Sequence, residues 1–139
     1  MPAAARSLRG VTARRLIAES LFPPPGYAHV AVAPGGLVFT AGAVPLDAEG
    51  TLVGREDFEA QTRQTLANLR DALARAGATP EQVVKTTVYV VADRGEDLAR
   101  VWEVVRASEF AGAPSTLLGV RLLGYTGQLV EIEAVAALG

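Results

Sequence analysis

Hydrophobic positions along the chain switch between a period of two and a period near 3.6. The first pattern predicts strands at Tyr27 to Ala33, at Leu37 to Gly42 and, more briefly, at Thr51 to Val53. Pro34-Gly35-Gly36 is typical of a turn, so the first two strands should form an antiparallel hairpin. The second pattern predicts an amphipathic helix of about 20 residues from Phe58 to Ala76, which Gly77 would end.

The second half of the chain contains the strongest strand signal, the β-branched run from Val83 to Val91. Thr79-Pro80-Glu81-Gln82 before it matches a capping box and predicts one short helical turn. The remaining pattern predicts a helix through Leu98 and Val105 that ends near Phe110, then strands at Ser115 to Leu122 and Leu129 to Ala136. The order ββ(β)αβαββ predicts an α+β fold, a mostly antiparallel sheet with hairpins at both ends and both helices packed on one face.

The last predicted strand indicates which residues lie on the sheet face that the helices do not cover. Its even-numbered residues from Val130 to Ala136 are apolar and suit the helix side, whereas Glu131, Glu133 and Val135 point the other way. The chain is 50% hydrophobic and only 20% charged, against about 25% charged in typical soluble domains. An uncovered sheet face on such a chain predicts a symmetric homo-oligomer.

A length of 139 residues indicates one domain, residues 1–139. We expect residues 1–22 to be an N-terminal extension with an edge strand and residues 23–138 to be the core. Glu19 and Ser20 cut short the apolar run after the arginine-rich start, which argues against a secretory leader; an organellar transit peptide is the alternative. No apolar stretch approaches the roughly 20 residues of a membrane span, so a cytoplasmic protein is expected.

Composition excludes several kinds of site. Thirteen basic and 15 acidic residues give a net charge of −2, which argues against a nucleic-acid partner. Without cysteine the chain has no disulfide, thiolate metal site or thiol nucleophile. His29 is the only histidine and is interpreted as a packed or surface residue. A single histidine cannot assemble a multi-histidine metal centre.

The last predicted strand carries a candidate catalytic carboxylate. Glu131 and Glu133 share a face, and contact of that face with another subunit would desolvate at least one carboxylate. Desolvation raises the pKa of a carboxyl group and makes it a plausible general base or water-orienting group. An intersubunit ion pair with Arg121 or Lys85 is the alternative.

Six ordered segments between about Gly26 and Leu138 resemble the RidA/YjgF (Rid) family. They are Tyr27 to His29, Leu37 to Gly42, Pro45 to Asp47, Glu59 to Leu69, Val83 to Val90 and Val130 to Ala134. The resemblance implies a chorismate-mutase-like α+β fold and a homotrimer with three clefts at the subunit boundaries. For RidA proper it also implies hydrolysis of reactive enamine or imine intermediates to 2-oxo acids and ammonia, without metal or organic cofactor.

The resemblance assigns roles to individual residues. Tyr27 corresponds to the cleft tyrosine and Glu131 to the glutamate that orients the attacking water. Ala41 and Gly42 stand where Ser-Gly is usual, so a substrate-binding hydroxyl is lost while backbone groups remain. Thr116 replaces a cleft residue that is commonly Cys.

The largest departures from the family pattern concern substrate binding. Trp102 replaces a helix Asn, and Pro114 replaces the Arg that in RidA proper grips the substrate carboxylate through a bidentate pair. Arg121 lies seven residues further on, an odd offset that in a regular strand points to the opposite face unless a bulge intervenes.

These residues predict an imine or enamine hydrolase of the Rid type that acts on a small reactive metabolite but is not an efficient 2-imino acid deaminase. Trp102, Thr116, Leu117 and Leu118 would wall a cleft for a less polar ligand. A non-catalytic trimer that binds a small molecule or a protein partner is the alternative from another class. An endoribonuclease is disfavoured by the net charge and by the absence of a histidine pair.

Overall fold

The computed structural model describes residues 12–139, which form a six-stranded sheet with two helices on one face. The strands are β1 Arg14–Leu16, β2 Val30–Val32, β3 Leu37–Thr40, β4 Val83–Val91, β5 Ser115–Val120 and β6 Val130–Ala137; the helices are α1 Phe58–Arg75 and α2 Gly95–Arg106, with a 3-10 turn at Pro80–Gln82. The predicted α+β class is confirmed. The first eleven residues of the predicted extension lie outside the described range, and its edge strand is β1.

The strands lie in the order β1-β2-β3-β6-β4-β5. The predicted N-terminal hairpin is present as β2 and β3. The predicted C-terminal hairpin is wrong, because β6 lies between β3 and β4, antiparallel to both, while β5 pairs in parallel with β4 at the edge. Helix α2 carries the chain back over the sheet, which permits the parallel pairing. The inner position gives β6 ladder partners on both sides.

Helix α1 forms where the amphipathic pattern predicts it. The Asp57 side chain caps its first turn by accepting the Ala60 N–H at 3.0 Å. Leu69 and Leu73 are fully buried on its inner stripe. Gly77, at φ 82°, follows the last turn, a conformation that costs glycine little.

Several predicted elements are shorter in the structure, and the strands predicted to reach Gly42 and Leu122 end at Thr40 and Val120. The strand at 51–53 is a single bridge between Leu46 and Leu52. The first strand of the hairpin begins only at Val30, because its partner β1 ends at Leu16 and leaves no ladder beyond. Helix α2 stops at Arg106, and Phe110 reaches the core from the turns that follow. Burial of its ring needs no helical backbone.

The two faces of the sheet differ as the alternation in β6 predicts. Val130, Ile132, Ala134 and Ala136 are buried beneath the helices, of which α1 packs mainly on β6 and β3 and α2 on β5 and β4. On the other face Glu131, Glu133 and Val135 are partly exposed. Leu37, Phe39 and Leu118 are 43%, 47% and 40% exposed there. Among residues 12–139, no helix has the length and apolarity that a membrane span requires.

Candidate active site

An open pocket of about 500 Å³ surrounds the Glu131 carboxylate at one end of the sheet. Its lining residues come from three separate stretches of chain: Pro25 and Tyr27; Gly42 and Val44; and Gly124, Tyr125 and Glu131. Three residues predicted for the site, Tyr27, Gly42 and Glu131, therefore meet in one chain. We call this cavity the Glu131 pocket.

Gly42 provides the space in which the Glu131 side chain lies. A Cβ built on Gly42 would come within 2.1 Å of Oε2, 2.5 Å of Cδ and 2.7 Å of Cγ of Glu131. The carboxylate therefore rests directly against the backbone of Gly42, and any larger residue at position 42 would have to displace the Glu131 side chain. The neighbouring backbone is fixed, since Ala43 and Ile132 exchange both N–H···O bonds, at 2.7 and 3.2 Å.

The environment of Glu131 makes its carboxyl group a weaker acid than a free glutamate side chain. Partial burial raises its pKa above the ordinary value, and the negative charge of Glu133 adds to the rise. The Gln128 amide donates a hydrogen bond to Oε1 at 3.1 Å, and this bond lowers the pKa of Glu131. A carboxylate with a raised pKa is a stronger base, which suits proton transfer from water.

Tyr27 faces this carboxylate as a neutral hydroxyl. Burial, followed by the effects of Tyr125 and of the charge on Glu131, raises the pKa of Tyr27 from 10.0 to about 12. The phenol keeps its proton at neutral pH and can donate a hydrogen bond. It is still 44% exposed, so a ligand in the pocket can reach it.

Glu133, the second candidate carboxylate, is bound differently. Its Oε1 accepts the Tyr89 hydroxyl at 2.9 Å, and this bond raises the pKa of Tyr89. Of the two basic residues of the alternative interpretation, Lys85 donates to Thr116 Oγ1 at 2.6 Å, and Arg121 is exposed beyond the end of β5. Within the described part of the chain, neither glutamate forms an ion pair with them. That alternative is an ion pair between subunits, and it stays a prediction.

A buried glutamine on α1 anchors the loops that shape the pocket. Gln61 is fully buried and donates to the carbonyls of Gly54 at 3.1 Å and Gly127 at 3.0 Å. Its Oε1 accepts the Leu129 N–H at 2.7 Å. One helix side chain thereby fixes the 127–129 segment that enters β6, and with it the start of the strand that carries Glu131.

His29 holds the segment behind Tyr27. Its Nδ1 accepts the Ala18 N–H at 3.0 Å, and its Nε2 lies 3.1 Å from the Phe22 carbonyl oxygen, to which it donates as the Nε2–H tautomer. Both ring nitrogens are thus engaged by backbone. The interpretation of His29 as a packed residue agrees with these contacts.

The other residues predicted to bind substrate lie apart from the pocket in a single chain. Ala41 donates its N–H to the His29 carbonyl at 2.8 Å and lines a neighbouring surface hollow. Trp102, on α2, packs partly buried against the core on the helix side of the sheet. Pro114 precedes β5, and its carbonyl accepts the Thr86 N–H at 2.9 Å.

Strand register shows how far Pro114 and Thr116 are from Glu131. Glu131 pairs with Tyr89, and Tyr89 pairs with Leu118, so Pro114 is four residues along and two strands across. These offsets correspond to about 13 Å along the strands and about 10 Å across them. Thr116 lies two residues closer, in the row of Glu133 and Thr87.

Tyr125 and Gln128 also belong to the site, although the hydrophobic pattern predicts no role for them. Both lie in the glycine-rich loop between β5 and β6. The available signal was a Gln three residues before the candidate Glu131 and an aromatic residue between Gly124 and Gly127. Among the described residues, no group of three or more His, Asp or Glu side chains is placed to hold a metal ion.

The sequence and the fold of this chain are similar to those of known proteins. Residues 18–138 match the sequence model of a family described as Endoribonuclease L-PSP. A RutC family protein of Pyrococcus abyssi is 34% identical over 123 residues, which are 87% of this chain and 94% of that protein. A 2-iminobutanoate/2-iminopropanoate deaminase of Salmonella typhimurium is 41% identical over 56 residues, 40% of this chain and 43% of that protein. The crystal structure of the Rid family protein YyfA of Yersinia pestis superposes with a TM-score of 0.80 at 27% identity, covering 91% of this chain and 100% of that one.

Proposed function

Because the chain belongs to the Endoribonuclease L-PSP family, which includes the Rid proteins, we propose that it hydrolyses a small imine or enamine that lacks a 2-carboxylate. The reaction would take place in clefts between the subunits of a homotrimer. The observation that carries the proposal is the Glu131 carboxylate, half-buried against Gly42 with a raised pKa and facing a protonated Tyr27.

In the proposed reaction, Glu131 accepts a proton from water while the water oxygen attacks the imine carbon. The C=N double bond becomes a single bond, and the nitrogen takes the proton back from Glu131 to give a carbinolamine. Glu131 then transfers the proton of the carbinolamine hydroxyl to the nitrogen, the C–N bond breaks, and ammonia leaves while a carbonyl group forms. Tyr27, which keeps its proton up to about pH 12, supplies a hydrogen-bond donor to the polar centre of the substrate.

The charge of the pocket supports a substrate without a carboxylate. Glu131 is the one charged side chain among the described residues that line the pocket. Two like charges about 4 Å apart repel by about 4 kcal/mol at a surface-like effective dielectric constant of 20. By the Rid resemblance, position 114 would carry the arginine that offsets this repulsion, and a proline stands there. A neutral imine or its iminium cation avoids the repulsion.

The uncovered sheet face supports association with other copies of the chain, and the Rid resemblance gives their number as three. Leu37, Phe39 and Leu118 expose large apolar surfaces on the side of the sheet that bears Glu131. A patch of this kind on a small chain favours burial against another copy. In one chain Pro114 and Thr116 are too far from Glu131 to share a ligand with it. A neighbouring subunit would supply the remaining walls of the cleft.

The test uses a panel of neutral and carboxylate-bearing imines generated in situ, with ammonia release as the readout. We expect turnover of at least one neutral imine and a loss of about 100-fold or more in Glu131→Gln. Glu103→Gln, on the exposed surface of α2, is the matched control and should keep wild-type rates. Ligand binding without turnover across the panel would overturn the hydrolase and favour a binding module, and RNA cleavage that depends on Glu131 would favour a ribonuclease.

A further inference from the structure

The side chain of Gln128 is buried directly behind the Glu131 carboxylate. It is only 3% exposed, although it lies in the loop that connects β5 to β6. Its Nε2 donates to the Val130 carbonyl at 3.0 Å and to Glu131 Oε1 at 3.1 Å. Its Oε1 accepts the Tyr125 N–H at 3.1 Å.

These three bonds fix the orientation of the amide. The Tyr125 N–H can only donate, so the carbonyl end of the Gln128 side chain must face it. Both hydrogens of the NH2 end are then used, one by the Val130 carbonyl and one by Glu131. Turning the amide over would bring the NH2 end against a donor and leave two acceptors without a partner, which is unfavourable in a buried site.

The two oxygens of Glu131 consequently differ. Oε1 is bound by Gln128, whereas Oε2 accepts no hydrogen bond from residues 12–139 and lies against Gly42 at the wall of the pocket. A glutamate side chain with three rotatable bonds would otherwise sample several orientations. The hydrogen bond from Gln128 favours the orientation that the structure shows.

We propose that Gln128 is a positioning residue, which holds Oε1 of Glu131 so that Oε2 is presented to the pocket as the oxygen that takes the proton from water. The proposal rests on the imine hydrolase function, whereas the hydrogen bond between Gln128 and Glu131 is present whatever the reaction. The same amide also fixes the backbone of Tyr125, whose side chain borders Tyr27. One buried side chain thus ties the carboxylate to the aromatic wall of the pocket.

The experiment measures the Glu131 carboxyl group directly. Its 13C resonance is titrated in the full-length protein and identified by its absence in Glu131→Gln. The ionisable groups that face Glu131 are Glu133 on its own strand, Tyr89 on β4, and Tyr27 and Tyr125 from the loops. None of them is altered in Gln128→Met, which keeps the side-chain length and removes the amide.

We expect the pKa of Glu131 to be higher in Gln128→Met than in wild type, because the hydrogen bond to the charged form is lost. For the imine identified above, kcat should fall by about 10-fold to 100-fold while KM changes by less than about threefold. Gln82→Met, in the remote 3-10 turn, removes an amide elsewhere and should change neither quantity.

An unchanged pKa of Glu131 in a folded Gln128→Met protein would overturn the proposal, whether or not any imine is hydrolysed. Unchanged kcat in an active enzyme would also overturn it. If the wild type hydrolyses no imine, the proposed function fails, while the titration still decides whether Gln128 holds Glu131. If Gln128→Met does not fold, Gln128→Asn, whose shorter amide cannot span the 3.1 Å contact, should raise the pKa in the same way.

Discussion

The Glu131 carboxylate occupies the volume that a side chain at position 42 would need, with Oε2 only 2.1 Å from where a Cβ of residue 42 would lie. The contact joins the loop after β3 to the start of the inner strand β6. It makes the position of the candidate base depend on the absence of a single carbon atom from the neighbouring backbone.

Gly42→Ala should therefore displace the carboxylate. We expect imine hydrolysis to fall by about 100-fold, since a shift of about 1 Å in a reacting group is enough for such a loss, and stability to fall by about 1–3 kcal/mol from overpacking. Rates and urea denaturation measure the two effects. Gly95→Ala is the control, because a Cβ at Gly95 meets nothing within 4 Å. Wild-type rates in Gly42→Ala would contradict the role of this contact.

The pH dependence of hydrolysis should follow the ionisation of Glu131. Burial, reinforced by Glu133, raises the pKa of Glu131 above its ordinary value of 4.5, so activity should decline at a pH higher than 4.5 as acid protonates the base. Glu133→Gln removes one of the causes of the rise and should move this acid limb to lower pH. Profiles of kcat/KM against pH for the wild type and Glu133→Gln measure the direction of this shift. An acid limb that moves to higher pH in Glu133→Gln would contradict the prediction.

The hydroxyl of Tyr27 should ionise only at a pH well above the ordinary pKa of tyrosine. Its pKa is raised to about 12, and an absorbance titration of wild type minus Tyr27→Phe should show the phenolate signal near that pH. Because the folded state holds this proton more tightly than the unfolded state, the stability linked to Tyr27 is present below pH 10 and is lost as pH rises toward 12. A phenolate signal centred at pH 10 would show that Tyr27 is not desolvated.

Restoring a cation at position 114 should change the substrate preference. We expect Pro114→Arg to raise hydrolysis of 2-iminopropanoate above the wild-type level, because a guanidinium can pair with the substrate carboxylate. Pro34→Arg, in an exposed turn, adds the same charge elsewhere and should have no such effect. Background rates in an intact Pro114→Arg oligomer would mean that more than this residue separates the protein from the 2-imino acid deaminases.

The uncovered sheet face should control assembly. Phe39→Glu places a charge in the centre of the exposed apolar patch, where Phe39 is 47% exposed, and should convert a trimer into monomers. Light scattering coupled to size-exclusion chromatography measures the mass. Ala74→Glu, exposed on α1, is the control and should remain trimeric. A Phe39→Glu protein that keeps the wild-type mass would place the interface elsewhere.

Much of the local structure could be predicted from the sequence. The helix that begins at Phe58, the strand Val83–Val91 and the outward direction of Glu131 all follow from hydrophobic period, because each residue in a helix or strand faces the core at a fixed interval. Tyr27, Gly42 and Glu131, which the family resemblance assigns to the site, line one pocket; their roles stay a prediction.

The order of strands and the inner wall of the pocket depended on the tertiary structure. Period reports which face of a strand is buried but not which strand lies beside it, so the insertion of β6 between β3 and β4 was not predicted. The contact of Gln128 with Glu131 likewise arises only when the loop before β6 is fixed by Gln61 from α1. A hydrogen bond requires positions within a few tenths of an ångström, and those positions are set by distant parts of the chain that local pattern does not describe.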